Sequence, residues 1–146
     1  MTNKEKIIKY LQNNILCRLK PSEVDGVGCF AIVDIESGTN LFKDYDKVSQ
    51  SIFITEELKA LLDENVYKWV RDHNTYSEDK QIVLLGNQLE HMKTYLNHSE
   101  EPNCKVINRE YISTRYIKKD EEIFINYKST FKKFYKLYGS PKWDVF

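Results

Sequence analysis

The sequence predicts an α+β domain with several short strands and few helices. Two segments, 24–45 and 104–127, carry strand-forming residues interrupted by turn residues such as Ser37-Gly38, a pattern typical of strands joined by tight turns. Two other segments, 3–16 and 55–72, repeat apolar residues at the helical period. Mixed periods of this kind favour a fold that combines small sheets with a few helices.

Both helical segments are amphipathic. Segment 3–16 is expected to pack its isoleucine and leucine face on a core, and Pro21 follows it as a break. Segment 55–72 is expected to form one helix with Thr55 as its N-cap, because two acidic residues follow in the first turn. Its apolar stripe comprises Leu58, Leu61, Leu62, Val66 and Trp69.

The remaining segments complete the pattern. A short strand is expected over 81–85, and a short helix or irregular turn over 89–95. Segments 31–39 and 113–121 resemble each other weakly, each with the pattern strand, tight turn, strand. Two similar hairpins explain this likeness without a repeat architecture.

Length and charge limit the classes of protein to which this chain could belong. The chain has 146 residues, 41% of them hydrophobic, which fits one domain with one core and excludes disorder as its dominant state. Its 22 basic and 22 acidic side chains cancel, which argues against a protein devoted to nucleic-acid phosphates. No signal peptide or membrane-length apolar run is visible. We therefore expect a soluble intracellular protein, with nucleus and cytoplasm not distinguished.

The cysteines indicate neither a disulfide scaffold nor a zinc site. The chain has three cysteines, an odd number, and no two of them form a CxxC pair: they are Cys17, Cys29 and Cys104. Reduced, small, half-buried thiols are the prediction, and no metal is expected.

Three short motifs carry candidate chemistry. Gly26-Val27-Gly28 allows close approach of a ligand to the backbone, although no third glycine follows to make a nucleotide fingerprint. Asn97-His98-Ser99, with Pro102-Asn103 after it, gathers hydrogen-bonding groups without a triad or metal partner for His98. The run 121–127 ends an apolar strand at Tyr127. Alone, each motif is explained by a turn or by core packing.

In this order and spacing, the three motifs resemble those of the SET-domain protein lysine methyltransferases. The resemblance covers roughly residues 22–128, and in length the chain looks most like the small stand-alone members. It implies a SET-type fold of several short β-sheets with a knot-like C-terminal core. It also implies transfer of a methyl group from S-adenosylmethionine to a lysine side chain of a protein, with a histone tail as one candidate substrate.

The resemblance assigns roles residue by residue. Gly26, Val27 and Gly28 would present backbone groups to the methionine part of the cofactor, and Asn97 and His98 would contact its amino group and adenine. Tyr127 matches the catalytic tyrosine of the family, and Tyr45 falls where many members carry a second active-site tyrosine.

The chain also departs from the family pattern. Members with a zinc-binding C-terminal module have Cys directly after Asn-His-Ser, whereas Glu100 stands here, so zinc is not implied. Asp120 occupies a turn position where Gly is common, and Asp tolerates the left-handed conformation. An aromatic residue of the tail is expected to close the site and cover the adenine, or simply to pack on the core. The candidates are Phe131, Phe134, Tyr135 and Trp143.

Three functional hypotheses follow. The first is an active protein-lysine N-methyltransferase, and the second is a SET-fold peptide-binding module without catalysis. The third uses the five lysines and the aromatic residues of the tail to bind nucleic acid, which the net charge does not favour. The expected segments are an N-terminal helix and linker (1–21), the SET domain (22–128) and a closing segment (129–146). A homodimer that completes the site is also compatible with the short chain, and no membrane partner is expected.

Overall fold

A computed structural model describes residues 1–43, 50–74, 77–85 and 89–130. The chain divides into two compact units, the first formed by Met1–Leu16 with Phe42–His91 and the second by Cys17–Leu41 with Met92–Phe146. The helices and strands in chain order are α1 (Asn3–Asn14), β1 (Cys17–Pro21), β2 (Val27–Ala31), β3 (Gln50–Ile54), α2 (Thr55–Leu61), α3 (Glu64–His73), β4 (Gln81–Leu85), a 3₁₀ helix (Glu90–Tyr95), β5 (Asn97–His98), β6 (Cys104–Ile107), β7 (Glu110–Ser113), β8 (Glu122–Ile125) and α4 (Tyr127–Thr130).

The first helix begins with a capping box. The Thr2 side chain accepts a hydrogen bond from the Glu5 amide at 3.1 Å, and the Glu5 carboxylate accepts from the Thr2 amide at 2.7 Å. These bonds satisfy amide groups that a helix start leaves without partners. The helix buries Ile7, Tyr10 and Leu11, so the predicted amphipathic helix is confirmed.

The expected single helix over 55–72 is wrong, because α2 and α3 are separate helices. Leu62 and Asp63 lie between them with extended backbone. Gln12 of α1 holds this break, since its Oε1 accepts from the Asp63 amide at 3.0 Å and its Nε2 donates to the Asp63 carboxylate. Thr55 is not the N-cap either, because Ile54 occupies that position and the Thr55 amide donates to the Lys80 carbonyl oxygen at 2.9 Å.

The first unit also contains a two-stranded antiparallel sheet. In it, β3 pairs with β4 from Gln50 opposite Leu85 to Ile54 opposite Gln81, which confirms the strand expected over 81–85. Phe53 of β3 and Trp69 of α3 are among its largest buried side chains. No helix in the described ranges is long and apolar enough to cross a membrane.

The second unit is built on a four-stranded sheet of order β1-β2-β8-β5. β1 and β2 are antiparallel, β8 is antiparallel to β2, and β5 runs parallel to β8. β1 was not anticipated, because Pro21 suggests only the end of a helix. In the structure Pro21 is the last residue of β1, opposite Val27. A separate hairpin pairs β6 with β7, and its turn places Asn108 and Arg109 at positive φ.

Two loops of the second unit are related by an approximate twofold axis, which explains the likeness of segments 31–39 and 113–121. Ile35 and Ile117 exchange both backbone hydrogen bonds, at 2.7 and 2.9 Å. Around them the other bonds come in equivalent pairs, each reaching from one loop to the other. In the first pair, the Ala31 amide donates to the Glu121 carbonyl oxygen and the Ser113 amide donates to the Thr39 carbonyl oxygen, both at 2.9 Å. In the second pair, the Asp120 amide donates to the Ala31 carbonyl oxygen and the Gly38 amide donates to the Ser113 carbonyl oxygen, both at 2.8 Å.

The three cysteines are fully buried in the second unit rather than half-buried as expected. Strand alternation points Cys17 and Cys29 into the same core, where a hydrogen bond between them and burial raise the pKa of Cys17 well above its usual value. Burial also raises the pKa of Cys104 to about 12. Thiols held in this protonated form are poor nucleophiles at neutral pH.

These elements confirm the expected α+β class, with small sheets and few helices. The knot-like threading and the three expected segments, 1–21, 22–128 and 129–146, stay predictions.

Removing a glycine from one of the two related turns and adding a glycine to the other should have opposite effects on the stability of the protein. Gly38 has φ +84° and Asp120 has φ +74°, a conformation that costs an ordinary L-residue about 1–2 kcal/mol. Because a Cβ at Gly38 would meet open space, Gly38→Ala should lower the free energy of unfolding by about 1 kcal/mol through conformation alone. Asp120→Gly should leave it unchanged or raise it by less than about 1 kcal/mol. Urea titrations measure both, and stabilisation by Gly38→Ala would contradict the turn assignment.

Candidate functional site

The candidate site is organised by the parallel contact between β5 and β8. Asn97 lies opposite Phe124 and His98 opposite Ile125, and the Ser99 amide donates to the Ile125 carbonyl oxygen at 3.0 Å. A two-residue strand supplies few ladder bonds of its own. Side chains therefore have to hold this contact together.

Asn103 supplies that support. Its side chain is almost completely buried, donating from Nδ2 to the Glu122 carbonyl oxygen at 2.9 Å and accepting at Oδ1 from the Phe124 amide at 2.8 Å. One side-chain amide thus satisfies both a backbone acceptor and a backbone donor of β8. The last residue of the Asn-His-Ser-x-x-Pro-Asn motif is therefore structural.

Asn97 connects the motif to the glycine segment. Its Nδ2 lies 3.0 Å from the Asp25 carbonyl oxygen, 3.2 Å from the Val27 carbonyl oxygen and 3.3 Å from Glu122 Oε2. Three acceptors around one end identify it as the amide nitrogen. The opposite end, Oδ1, has no hydrogen-bond partner in the part of the chain that the structure describes, although the residue is only 8% exposed. The site therefore holds a buried acceptor available to a donor.

The two glycines have different structural roles. Gly26 adopts φ +45°, which only glycine does freely, between the two carbonyls that Asn97 binds. Gly28 lies under the Glu122 side chain, and a Cβ there would be 2.8 Å from the carboxyl carbon of Glu122. A strand glycine often marks such a close approach. The absence of a side chain at position 28 lets the Glu122 carboxylate reach Asn97.

His98 holds the backbone of the tyrosine. The imidazole is buried, and its Nδ1 accepts from the Tyr127 amide at 2.9 Å. Because Nδ1 is an acceptor, the ring proton is on Nε2, which lies 3.2 Å from Glu100 Oε1. The rings of His98 and Tyr127 are 5.3 Å apart between centroids.

The Tyr127 hydroxyl donates to the Leu96 carbonyl oxygen at 2.5 Å. Desolvation raises the pKa of Tyr127 above its ordinary value of about 10, and the nearby carboxylates of Asp25 and Glu122 raise it further. The phenol is therefore neutral at physiological pH. With its hydrogen donated to Leu96, its oxygen meets any further group as an acceptor.

The structure brings most of the sequence-predicted site residues into one cluster. Hydrogen bonds join Asn97 to the segment around Gly26, Val27 and Gly28, and His98 to Tyr127. Tyr45 and Tyr135, like the other aromatic residues proposed to close the site, lie outside the described residues. Nor do the described residues place three or more His, Cys, Asp or Glu side chains where they would hold a metal ion.

Sequence reasoning missed Asp25 and Leu96, which support this cluster, and it assigned no role to Asn103 and Glu122, although both stand in its motifs. Asp25 and Leu96 act through their carbonyl oxygens, which no sequence pattern marks. For Glu122 a sign was available, because a glycine within a strand predicts a close neighbour on its face. The neighbour itself, 94 positions along the chain, was not predictable.

Comparison with known proteins establishes the family. A family model described as SET domain matches residues 26–128, a range that contains the whole cluster from Gly26 to Tyr127. The chain belongs to the SET-domain family. None of the curated proteins matches it.

Two of the solved structures that match this chain do so at low similarity. One is ctPRC2 in an autoinhibited conformation bound to S-adenosylmethionine, with 23% identity, a TM-score of 0.40 and coverage of 85% of this chain. This chain spans only 17% of the length of that one. Another is a Plasmodium falciparum protein named as a histone methyltransferase, with 23% identity, a TM-score of 0.31 and coverage of 76% and 91% of the two chains.

A spectrophotometric titration tests the environment of Tyr127. Because burial and two carboxylates oppose the negative charge of the phenolate, the pKa of Tyr127 is raised and the phenol should be half ionised only above pH 10. The difference in absorbance at about 295 nm between the wild type and Tyr127→Phe should show one phenol that ionises above about pH 10. A midpoint below that value would contradict the half-buried, acid-flanked position.

Proposed function

We propose that this protein is a protein-lysine N-methyltransferase that uses S-adenosylmethionine. The family assignment over residues 26–128 and the geometry around Asn97 and Tyr127 support this proposal. The SET methyltransferases as a class use this cofactor, so the question for this chain is whether its own residues fit it.

The buried acceptor of Asn97 is the observation that carries the proposal. Its amide nitrogen is held by three acceptors, so its Oδ1 is the group that the side chain offers to a ligand. A buried polar atom without a partner is costly unless a ligand or water satisfies it. The α-ammonium group of S-adenosylmethionine is a donor of the right kind, and a charged donor makes the stronger bond.

The electrostatics of the cluster also suit this cofactor. The Asp25 and Glu122 carboxylates lie near Tyr127 and, after desolvation, contribute to raising the pKa of its phenol. A negative potential stabilises a nearby cation, and the sulfonium of the cofactor carries a positive charge. Asn97, His98 and the backbone of 26–28 are the groups that would hold the cofactor.

The chemistry that S-adenosylmethionine supplies when bound is an electrophilic methyl group, which a neutral amine displaces in line from the sulfonium. The substrate lysine must first lose its proton to solvent, because its ordinary pKa is about 10.4 and only the neutral amine has a free electron pair. Tyr127 is not the base, since its own pKa is raised. Its hydroxyl oxygen would accept a hydrogen bond from the amine and orient it, while Leu96 fixes the hydroxyl hydrogen.

The substrate proposed is a lysine in a protein, with a histone tail as the first candidate. One of the similar structures is named as a histone methyltransferase. Between residues 39 and 64 six acidic side chains stand against three basic ones, and such an excess would attract a basic tail. The same proposal includes Tyr45 as a second active-site tyrosine and Tyr135 as part of a closing segment. It also includes a homodimer and the division of the chain into three segments. The alternative, a peptide-binding module without catalysis, is decided by the experiments that follow.

Calorimetric titration tests the cofactor site. S-adenosylmethionine should bind the wild type with micromolar affinity, and Asn97→Ala should weaken binding about tenfold or more, the effect of one charge-assisted hydrogen bond. Asn13→Ala, which removes an exposed amide from α1, is the matched control and should bind as the wild type does. Equal affinity in Asn97→Ala would remove the main support for the proposal.

Methyl transfer to histones and other basic proteins tests catalysis. Tyr127→Phe should lower kcat by about a hundredfold while the Kd for the cofactor changes little, because the hydroxyl orients the amine. Tyr116→Phe removes an exposed hydroxyl that is hydrogen-bonded to Asp34 and serves as the control. If the wild type binds cofactor and basic peptide but transfers no methyl group, the binding-module alternative is correct.

Gly28→Ala tests how the Glu122 carboxylate supports the cofactor site. The added Cβ would displace a flexible carboxylate, so stability should change little, but Asn97 would lose one of its acceptors. We expect the Kd for S-adenosylmethionine to rise about three- to tenfold. Glu122→Ala should produce a similar rise, and the double variant should be no worse than either single one. Additive effects would show that the two positions act independently.

A further inference from the structure

One carboxylate contacts the groups on both sides of the proposed catalytic tyrosine. Glu100 Oε1 lies 3.2 Å from His98 Nε2 and 3.5 Å from Lys128 Nζ, and its Oε2 lies 3.5 Å from Asn126 Nδ2. Asn126 and Lys128 are the immediate neighbours of Tyr127 in the sequence. All of these residues belong to the second unit.

The same carboxylate reaches Tyr127 itself through the imidazole. His98 Nδ1 accepts from the Tyr127 amide, which requires the proton on Nε2, and Nε2–H points to Glu100. A carboxylate beside Nε2 stabilises this tautomer. The other tautomer would place an N–H of the ring against the N–H of Tyr127 and break the bond between them.

Burial makes the choice of tautomer important. The His98 side chain is 2% exposed, whereas that of Glu100 is 62% exposed. The imidazole is thus held inside the unit while its partner reaches it from the surface. The hydrogen bond from His98 and the charge of Lys128 lower the pKa of Glu100, so the carboxylate stays ionised at neutral pH.

We infer that Glu100 is a positioning residue for methyl transfer: it fixes His98 in the tautomer that binds the Tyr127 backbone and anchors the residues before and after Tyr127. The inference rests on the proposed function, because it assigns to this carboxylate the placement of the hydroxyl that orients the amine. Glu100 does not contact substrate in this role. It acts through His98, Asn126 and Lys128.

Kinetics of Glu100→Ala test the positioning role. We expect kcat to fall roughly tenfold to a hundredfold, the effect of a small misplacement of a catalytic group, while KM for the protein substrate stays near that of the wild type. Glu100→Gln keeps an oxygen that accepts from Nε2–H, and it should stay within about threefold of the wild type. Glu101→Ala, the same change of charge at the next, exposed residue, should have no effect.

The histidine tautomer is measured without any turnover. Two-bond ¹H–¹⁵N correlation spectra should show the Nε2–H form of His98 in the wild type, in Glu100→Gln and in Glu101→Ala. Glu100→Ala should lose this pattern in part and shift the Tyr127 amide resonance.

The two measurements separate the inference from the proposed function. If the wild type transfers no methyl group, the proposed function fails, and with it the role in catalysis, whatever the spectra show. If the wild type is active, an unchanged His98 tautomer or an unchanged kcat in Glu100→Ala overturns the inference while the proposed function stands. If Glu101→Ala lowers kcat as much as Glu100→Ala does, the inference is also overturned, because the effect is then one of net charge.

Discussion

The short parallel contact between β5 and β8 is the constraint on which the candidate site depends. It places Asn97 and His98 beside the strand that leads into Tyr127. Two residues are too few to hold a parallel pair by ladder bonds alone, and the buried Asn103 side chain supplies a donor and an acceptor to β8 from the other side. The site therefore depends on a buried amide that binds both a carbonyl group and an N–H group of β8.

Hydrogen bonds from this contact prepare the proposed chemistry. Each polar group in the cluster has its role fixed by a neighbour: Asn97 by three acceptors, His98 by the Tyr127 amide, and the Tyr127 hydroxyl by Leu96. Groups fixed before a ligand arrives need no reorganisation when it binds, which is the general advantage of a preorganised polar site. The carboxylates of Asp25 and Glu122 give that site its negative potential.

The parts predictable from sequence were those encoded locally. The helical period of 3–16 and the strand residues of 104–127 identified elements, and the order of three motifs selected Asn97, His98 and Tyr127, which the structure brings close together. Features that depend on distant partners were missed. Helices α2 and α3 separate where Gln12, 51 positions away, binds Asp63, and β1 forms because β2 pairs with it. The role of Asn103 depends on a contact with Phe124 across 21 positions. A single sequence does not show such contacts, because residue type and spacing stay the same whether or not they form.

Amide hydrogen exchange with and without S-adenosylmethionine tests the central claim most directly, that the β5–β8 contact is where the cofactor binds. With saturating ligand, protection should increase most at the amides of 97–99 and 124–127, because a ligand that binds only the folded site suppresses its local opening. The hairpin of β6 and β7 should change little and serves as the internal reference. Saturable binding with protection confined to residues outside these two segments and outside 26–28 would contradict the account.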